Sequence, residues 1–236
     1  MVLKLPSVTL VAVSSVQIRR TIAALRLSAQ EIAFAEILMF SHSTYSLVGK
    51  KTRQVQIDKL KSINDYNRFI IYELGNYIST SHCLLVQADG YALNPVMWSA
   101  EFLEYDYVGA AWPYRRDAYI DPFGNHQRVG NGGFSLRSRK LLTVPQHRDI
   151  PWEVNQGHFY KHMNAGLYSE DGNICVHNRH LYEDDGCKFA PVEVAVRFSQ
   201  ETPVPESVNI TPFGFHKRKP GTTRTHRAPA HLGWWL

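Results

Sequence analysis

The sequence lacks the features of membrane-spanning, disulfide-rich and zinc-finger proteins. Its three cysteines, Cys83, Cys175 and Cys187, are unevenly spaced and form no CxxC pair, which argues against a zinc site or a disulfide framework and favours a reducing compartment. It has no uninterrupted apolar run of about 18 residues, the length that a membrane-spanning helix needs. The early apolar stretch at 8–13 is short and β-branched, so it predicts a buried strand and not a signal peptide.

Several catalytic signatures are missing as well. The sequence has no GxSxG, Walker or HExxH motif and no GxGxxG fingerprint, which argues against serine hydrolases, P-loop enzymes, zinc proteases and dinucleotide-binding proteins. Its basic residues do not alternate with aromatic residues in an RNA-binding pattern, so we expect no nucleic-acid partner.

What is present is the composition of a globular protein. The 236 residues are 44% hydrophobic, 12% aromatic and 20% charged, with a net charge of +5, which favours a single domain with one core. Much of the positive charge lies in a tail at 217–236 that ends on two tryptophans. Two interpretations stay open for this tail: a loosely ordered, solvated segment, or a peripheral contact with anionic lipid head groups.

The first forty residues predict a β-α-β unit. A β-branched run at 8–13 reads as a strand, apolar residues at helical spacing follow over 17–29, and residues 34–40 read as a second strand. Such a unit makes a parallel sheet the expected architecture. The predicted fold class is therefore α/β, a single domain with a mostly parallel mixed sheet flanked by helices.

The rest of the chain continues this alternation less regularly. We expect a polar loop at 49–54, an amphipathic helix between Tyr66 and Ile78, and a buried strand from Cys83 that stops at Gln87-Ala88-Asp89-Gly90. Further along, the pattern predicts a strand at 105–112, a loop at 114–128 and a helix followed by a strand or turn at 191–201. Residues 145–180 have weak periodicity and predict no clear element.

Three groups of polar or small residues follow predicted strands, where ligands bind in open α/β sheets. They are Ser14-Ser15, Asp89, and the turn Asn131-Gly132-Gly133 within VGNGGFSLRSRK. Consecutive permissive residues let the backbone turn sharply or approach another group closely. A carboxylate after a buried strand suggests a paired cation or a metal, although Asp89-Gly90 is also an ordinary turn dipeptide.

A second acidic cluster, Glu183-Asp184-Asp185, is a candidate for acid–base chemistry. Crowded carboxylates repel one another, so one of them can have a raised pKa and act as a base. The plainer interpretation is a charge cluster at a helix start or a solvated loop. His216 stands between aromatic residues, where a single histidine is more often structural than a ligand.

The order of these segments resembles that of GT-A glycosyltransferases, and more closely a bacterial and viral glycosyltransferase-like domain family catalogued as of unknown function. The resemblance rests on QAD-G, EFLEYDYVGAAWPY, VGNGGFSLRSRKLL, YEDD and a late FGFH, and it covers residues 7–216. It implies a Rossmann-like GT-A domain over 1–216, with a nucleotide-sugar half at about 5–110 and an acceptor half at about 111–216. The basic tail at 217–236 would lie outside it.

The resemblance also implies roles for particular residues. The D-x-D motif that holds a divalent cation, Mn²⁺ or Mg²⁺, on the sugar diphosphate corresponds to Gln87-Ala88-Asp89, so its first aspartate is absent. Asp89 and His216 would contact the metal or the diphosphate. The Glu-Asp pair that opens a helix in inverting members is matched to Glu183-Asp184, with Asp184 as general base and Asp185 as the fallback. The implied donor-binding residues are Val13, Ser14, Ser15, Arg19, Gln87, Asp89, Asn131, Gly132 and Gly133.

The resemblance therefore predicts a cytoplasmic glycosyltransferase, at the inner face of the membrane if its tail binds lipid. It would move a sugar from a nucleotide-sugar, with a UDP-sugar favoured, to a glycan or lipid-linked glycan, with inversion. The alternative is a non-catalytic nucleotide- or sugar-binding module, which the missing aspartate supports. Nucleotidyl or phosphoryl transfer is less favoured, because VAVSSVQIRR has no Gly-rich, Lys-bearing phosphate loop.

Overall fold

The computed structural model describes residues 2–45, 52–116, 118–152 and 169–217. A mixed six-stranded sheet forms its centre, in the order β3-β2-β1-β4-β9-β6. Its strands are β1 Leu3–Val13, β2 Ile32–Ser41, β3 Thr52–Gln56, β4 His82–Val86, β6 Tyr107–Val108 and β9 Phe134–Ser138. The first four run parallel to one another, and β9 is antiparallel to both β4 and β6. This arrangement confirms the predicted α/β class with a mostly parallel sheet.

Two smaller sheets lie beside the central one. The strands β5 Gly90–Ala92, β10 Ser199–Gln200 and β11 Gly214–His216 form one of them, and β7 Ala110–Ala111 pairs with β8 Val129–Gly130 in the other. The antiparallel register of β11 with β5 sets His216 opposite Gly90. A residue near the end of the domain is thereby brought beside the turn that follows β4.

Helices cover both faces of the central sheet. They are α1 Ile18–Ser28, α2 Ile63–Arg68, α3 Arg139–Thr143, α4 Glu170–Gly172, α5 Arg179–Asp184 and α6 Val192–Phe198. Helix α2 continues as a π-helical turn, Phe69–Glu73, and a 3-10 turn, Leu74–Tyr77, and α4 continues as a π-helical turn, Asn173–His177. Further 3-10 turns are Pro95–Met97, Ala100–Glu104, Val144–Gln146 and Pro205–Ser207. No helix in the described part of the chain has the length and apolar character needed to cross a membrane.

The sequence explains why the main elements form where they do. In α1 the predicted face is buried at Ile18, Ile22 and Leu25, as expected of an amphipathic helix against a sheet. Helix α2 begins with a capping box: the Ser62 hydroxyl accepts from the Asp65 amide at 3.1 Å, and the Asp65 carboxylate accepts from the Ser62 amide at 2.9 Å. All five residues of β4 are buried, which agrees with a continuous apolar strand at the centre of the sheet.

Two predictions about local structure were wrong. Residues 52–54 belong to β3, an edge strand of polar sequence, and not to a loop; 49–51 lie outside the described residues. Residues 105–112 do not form one strand, because the chain changes sheet between β6 and β7. Gly109 permits this change, since a Cβ there would lie 1.7 Å from the Gly130 carbonyl oxygen. The helix and strand predicted at 191–201 are present as α6 and β10.

All three cysteines are buried and free. The tail beyond Lys217 lies outside the described residues, so the two interpretations of it stay open.

Candidate active site

A cleft of about 370 Å³ opens at the edge where β1, β2 and β4 have their carboxyl ends. Ligands of open α/β sheets bind at such an edge. The cleft combines residues from distant parts of the chain. It is lined by Ile63, Tyr66, Asn67, Gln87, Trp112, Arg115, Tyr119, Asn131, Gly132, Gly133, Ser169, Glu170, Asp171, Glu201, His216 and Lys217.

The turn Asn131-Gly132-Gly133 lines the cleft, as expected, but its close approach is to groups of the protein itself. A Cβ on Gly132 would lie 1.4 Å from Glu170 Oε1, and a Cβ on Gly133 would lie 2.0 Å from His216 Nε2. Asn131 has a positive φ of 67° and is buried, which turns the chain sharply into β9. The two glycines are required because a carboxylate and an imidazole occupy the space where their side chains would be.

The carboxylates facing this turn are Glu170 and Asp171, which the sequence interpretation missed. They form the first turn of α4, with the Ser169 side chain as the N-cap. The Gly132 amide donates to Asp171 Oδ2 at 3.1 Å, and the Gly172 amide donates to Asp171 Oδ1 at 2.9 Å. Both backbone amides favour the ionised carboxylate and fix its orientation.

Burial dominates the electrostatics of this pair. It raises the pKa of Glu170 to about 7, against the opposing charge of Arg137. It also raises the pKa of Asp171, against the hydrogen bond from Gly132 and the charge of Arg137. Carboxylates with raised pKa values in a cleft are candidates for acid–base chemistry at neutral pH.

A second charged group surrounds His216. Its Nε2 lies 3.5 Å from Asp89 Oδ1 and its Nδ1 lies 3.4 Å from Glu201 Oε1, while Lys217 Nζ lies 3.0 Å from the same Glu201 oxygen. Burial acts to lower the pKa of His216, but the hydrogen bonds and charges of Asp89 and Glu201 raise it to about 9. The antiparallel pairing of β11 with β5 explains why Asp89 and His216 meet.

These residues offer part of a metal site. Among the described residues, no group of three or more His, Cys, Asp or Glu side chains is arranged to hold a metal ion. Gln87, at the position of the missing first aspartate, donates its side-chain amide to the Tyr66 hydroxyl at 2.8 Å. Asp89 nevertheless presents a carboxylate oxygen in this region, and Mg²⁺ is commonly held by one or two carboxylates plus substrate phosphates. The raised pKa of His216 means that its imidazole would have to lose a proton before it could ligate a cation.

The predicted residues after β1 lie at the same edge of the sheet but outside the set that lines the cleft. The register of β1 with β4 pairs Ala12 with Val86, next to Val13 and Gln87. The Ser14 hydroxyl bonds to the Val16 carbonyl, and the Ser15 hydroxyl accepts from the Leu60 amide at 2.9 Å. Arg19 is exposed on α1. The nucleotide-binding role of these four residues stays a prediction.

The acidic cluster Glu183-Asp184-Asp185 is not part of the cleft. The expectation that Glu183-Asp184 open a helix is wrong, because they are the last two residues of α5. Ion pairs hold all three: Glu183 with Arg179 at 2.7 Å, Asp184 with Arg148 at 3.2 Å, and Asp185 with Arg148 at 2.8 Å and His147 at 2.9 Å. The Asp184 side chain is 61% exposed, so its surroundings are those of a solvated surface cluster.

Other cleft residues also went unrecognised in the sequence. Tyr66 and Asn67 come from α2, and Trp112 and Tyr119 stack with ring centroids 4.5 Å apart and an interplanar angle of 9°. Single aromatic residues carry no distinctive spacing, so nothing in the sequence indicated that these residues line a cleft. The Ser169-Glu170-Asp171 segment did carry a signal, an N-cap residue followed by a Glu-Asp pair, although it lies in a region without clear periodicity.

Comparison with solved structures shows the fold. An active-site mutant of LgtC matches with a TM-score of 0.53 and 11% identity, over 90% of this chain and 88% of that chain. The apo-form glycosyltransferase GlyE of Streptococcus pneumoniae matches with a TM-score of 0.45 and 11% identity, over 90% of this chain and 54% of that chain. This chain therefore has the GT-A glycosyltransferase fold.

Sequence comparison identifies a family without a known activity. No curated protein matches this sequence. A family model described as "Protein of unknown function (DUF5672)" matches residues 50–216, well over half of the chain and almost all of the segments quoted above. The chain therefore belongs to this family of proteins of unknown function.

Proposed function

We propose that this protein is a glycosyltransferase that moves a sugar from a nucleotide-sugar to a glycan or lipid-linked glycan, with inversion at the anomeric carbon. The observation that carries the proposal is the Asp171 carboxylate in the cleft, oriented by two backbone amides. The GT-A fold supports the same activity, because a cleft at this edge of the sheet is where such a fold would bind its donor.

Asp171 replaces Asp184 as the proposed general base. In a single displacement, Asp171 takes the proton of an acceptor hydroxyl while that oxygen forms a bond to the anomeric carbon. The bond from this carbon to the diphosphate breaks on the opposite face, and the nucleoside diphosphate leaves with the electron pair. One positioned base and electrostatic relief for the leaving group are sufficient for this chemistry.

Cationic side chains of the cleft supply that relief. Lys217 and Arg115 both line it. Burial acts to lower the pKa of Lys217, but the charge of Glu201 raises it. Asp89 and His216 are the residues that would hold a divalent cation, which would neutralise charge on the departing diphosphate. Gln87, Asn131, Gly132 and Gly133, together with the predicted residues at the end of β1, are the proposed donor contacts.

The alternative is a nucleotide- or sugar-binding module without turnover. Gln87 favours it, because a carboxamide tied to the Tyr66 hydroxyl stands where a metal-binding aspartate was expected. The acceptor, the UDP preference and a lipid contact of the tail are proposals that follow from the resemblance alone.

A thermal-shift and calorimetry screen tests the proposal. The probes are UDP, GDP, CMP and dTDP and their sugars, each with and without Mn²⁺. A ligand that binds only the native state stabilises it by about 2.7 kcal/mol at one hundred times its dissociation constant, so we expect one nucleotide to raise the melting temperature strongly. Asp89→Asn should remove any extra stabilisation by Mn²⁺, whereas the exposed Asp58→Asn should retain it.

Each result separates the candidates. Stabilisation by one nucleotide, with release of its diphosphate when an acceptor is present, supports the transferase. Stabilisation without turnover of any sugar supports the binding module. No response to any nucleotide or nucleotide-sugar would contradict the transferase and leave a sugar-binding module as the favoured alternative.

A further inference from the structure

Arg137 is the largest fully buried side chain of the described residues, with no exposed surface. Alternation along β9 places Phe134 and Leu136 in the apolar core on one face of the sheet, and Ser135 and Arg137 on the other. The guanidinium donates from Nε to the Ser135 hydroxyl at 3.0 Å and lies 5.1 Å from the Tyr107 ring centroid. A buried charge of this kind is costly unless an opposite charge meets it.

The opposite charge is Glu170 of the cleft. Arg137 Nη2 lies 2.7 Å from Glu170 Oε2, and both side chains are almost completely buried. The same chain segment holds the second carboxylate, because the Gly132 amide donates to Asp171. Both members of the Glu170-Asp171 pair are thus attached to residues 132–137, one by an ion pair and one by a backbone hydrogen bond.

We infer that Arg137 is a positioning residue that acts through Glu170. Its ion pair lowers the proton affinity of the Glu170-Asp171 pair, so that Asp171 is more readily available to accept the proton of the acceptor hydroxyl. This inference rests on the proposed function, since it assigns Arg137 a part in keeping that base ionised.

Charged and titratable groups from several elements of the described residues interact electrostatically with the Glu170-Asp171 pair. Two carboxylates at one site bind a proton more tightly than either would alone, and they titrate as a pair. Burial already raises the pKa of Glu170 to about 7 although Arg137 opposes it. Without the Arg137 guanidinium, the Glu170-Asp171 pair would lose its last proton only at a higher pH. Within the described residues, eight such groups interact with Glu170 or Asp171. They are Arg137 from β9, Tyr66 from α2, Tyr107 from β6, Tyr119 from the loop after β7, Cys175 from the π-helical turn, His216 from β11, Glu201 and Lys217.

A titration that needs no turnover tests the inference first. Carboxyl carbons of ¹³C-labelled glutamate are followed by NMR against pH, and Glu170→Gln identifies the Glu170 signal by its loss. In Arg137→Met we expect this signal to titrate about one pH unit or more above its position in the wild type, while Arg137→Lys should stay near the wild type. The matched control is Arg197→Met, because Arg197 also lies 2.7 Å from a glutamate, Glu101, but on the surface; it should leave Glu170 unchanged.

The pH dependence of turnover tests the consequence for Asp171. In Arg137→Met the acid limb of the kcat/KM profile should also move to higher pH by about one unit. The reason is that the pair must lose its proton before Asp171 can accept one from the acceptor hydroxyl. Adding Glu170→Gln to Arg137→Met should bring the limb back, since Asp171 then has no partner with which to share a proton. A merely structural role predicts a fall in kcat/KM at every pH, with the limb unmoved in all variants.

The outcomes separate this inference from the proposed function. An unshifted Glu170 titration in Arg137→Met overturns the inference even if the enzyme transfers sugar. Absence of turnover in the wild type with every donor contradicts the proposed function, while the NMR titration still decides the effect of Arg137 on Glu170. If Arg137→Met does not fold, Arg137→Gln takes its place in the same titration, and an unshifted Glu170 signal there overturns the inference as well.

Discussion

The protein contains two Glu-Asp pairs in very different surroundings. Glu170-Asp171 open a helix and line the cleft, and the Glu170 side chain is 4% exposed beside a buried guanidinium. Glu183-Asp184 close the next helix, and their side chains are 47% and 61% exposed. Burial raises the pKa of both residues in the first pair, whereas the second pair is exposed to solvent and paired with Arg148 and Arg179.

The comparison shows that the same dipeptide can have very different electrostatic surroundings in one protein. Crowded carboxylates acquire unusual proton affinity only where water is excluded, because water screens their repulsion and solvates their charge. The second pair also forms ion pairs with Arg148 and Arg179. Ion pairs of exposed carboxylates contribute little to the stability of the fold.

Replacing the carboxylates of the two pairs should separate them most clearly. We expect Asp171→Asn to lower turnover by about 10²–10⁴-fold, the range for a general base, because an amide cannot accept the proton of the acceptor. Asp184→Asn should keep turnover close to that of the wild type. Initial rates of diphosphate release measure both, and nucleotide-induced stabilisation in each variant verifies that the donor still binds. Loss of turnover in Asp184→Asn alone would reverse the assignment of the base.

Adding a side chain beside the buried pair should destabilise the protein more than adding one beside the exposed pair. A Cβ at Gly132 would overlap Glu170 Oε1 at 1.4 Å, so Gly132→Ala should lower the free energy of unfolding by about 1–3 kcal/mol, as overpacking does. Gly186 follows the second pair, with φ +76° and the flexible end of Lys140 3.1 Å from its Cβ position. Gly186→Asn should lower the free energy of unfolding by less than Gly132→Ala does, because asparagine tolerates this backbone conformation and the end of the Lys140 side chain can move. Urea denaturation of both variants measures the difference, and equal losses would contradict it.

Removing the surface cation of the second pair should have the smallest effect. Arg148 contacts both Asp184 and Asp185, and its side chain is 30% exposed. Arg148→Met should change the free energy of unfolding by less than about 1 kcal/mol and leave turnover unchanged. Thermal denaturation and the transfer assay measure these two quantities. A large loss of turnover with an intact fold would place the second pair in the reaction after all.

Much of the fold was predictable because its strands and helices are periodic. Residues 8–13 and 34–40 predicted the parallel strands β1 and β2, and the apolar spacing from Tyr66 to Ile78 predicted the helical segment that begins with α2. Strand β3 was not predictable from its own sequence, Thr-Arg-Gln-Val-Gln, because an edge strand depends on pairing with its neighbour more than on burial. The change of sheet at Gly109 likewise depends on a contact with the distant Gly130.

The candidate site was predictable only in part. Gln87 and the turn Asn131-Gly132-Gly133 were expected in it, and the structure brings them together with His216. Glu170 and Asp171 were not predicted in the cleft because they lie in a part of the sequence without clear periodicity. Their position relative to Gly132 is visible only when β9 and α4 are packed together.

Local periodicity and the lack of a side chain were enough to predict the α/β class, the order of the first strands, and a sharp turn or close approach at Gly132 and Gly133. The group that makes that approach, and the Glu-Asp pair that is buried, depend on tertiary packing. Burial and the Arg137–Glu170 ion pair join residues that are far apart in the chain, and a carboxylate acquires its proton affinity from such neighbours and not from its own position in the sequence.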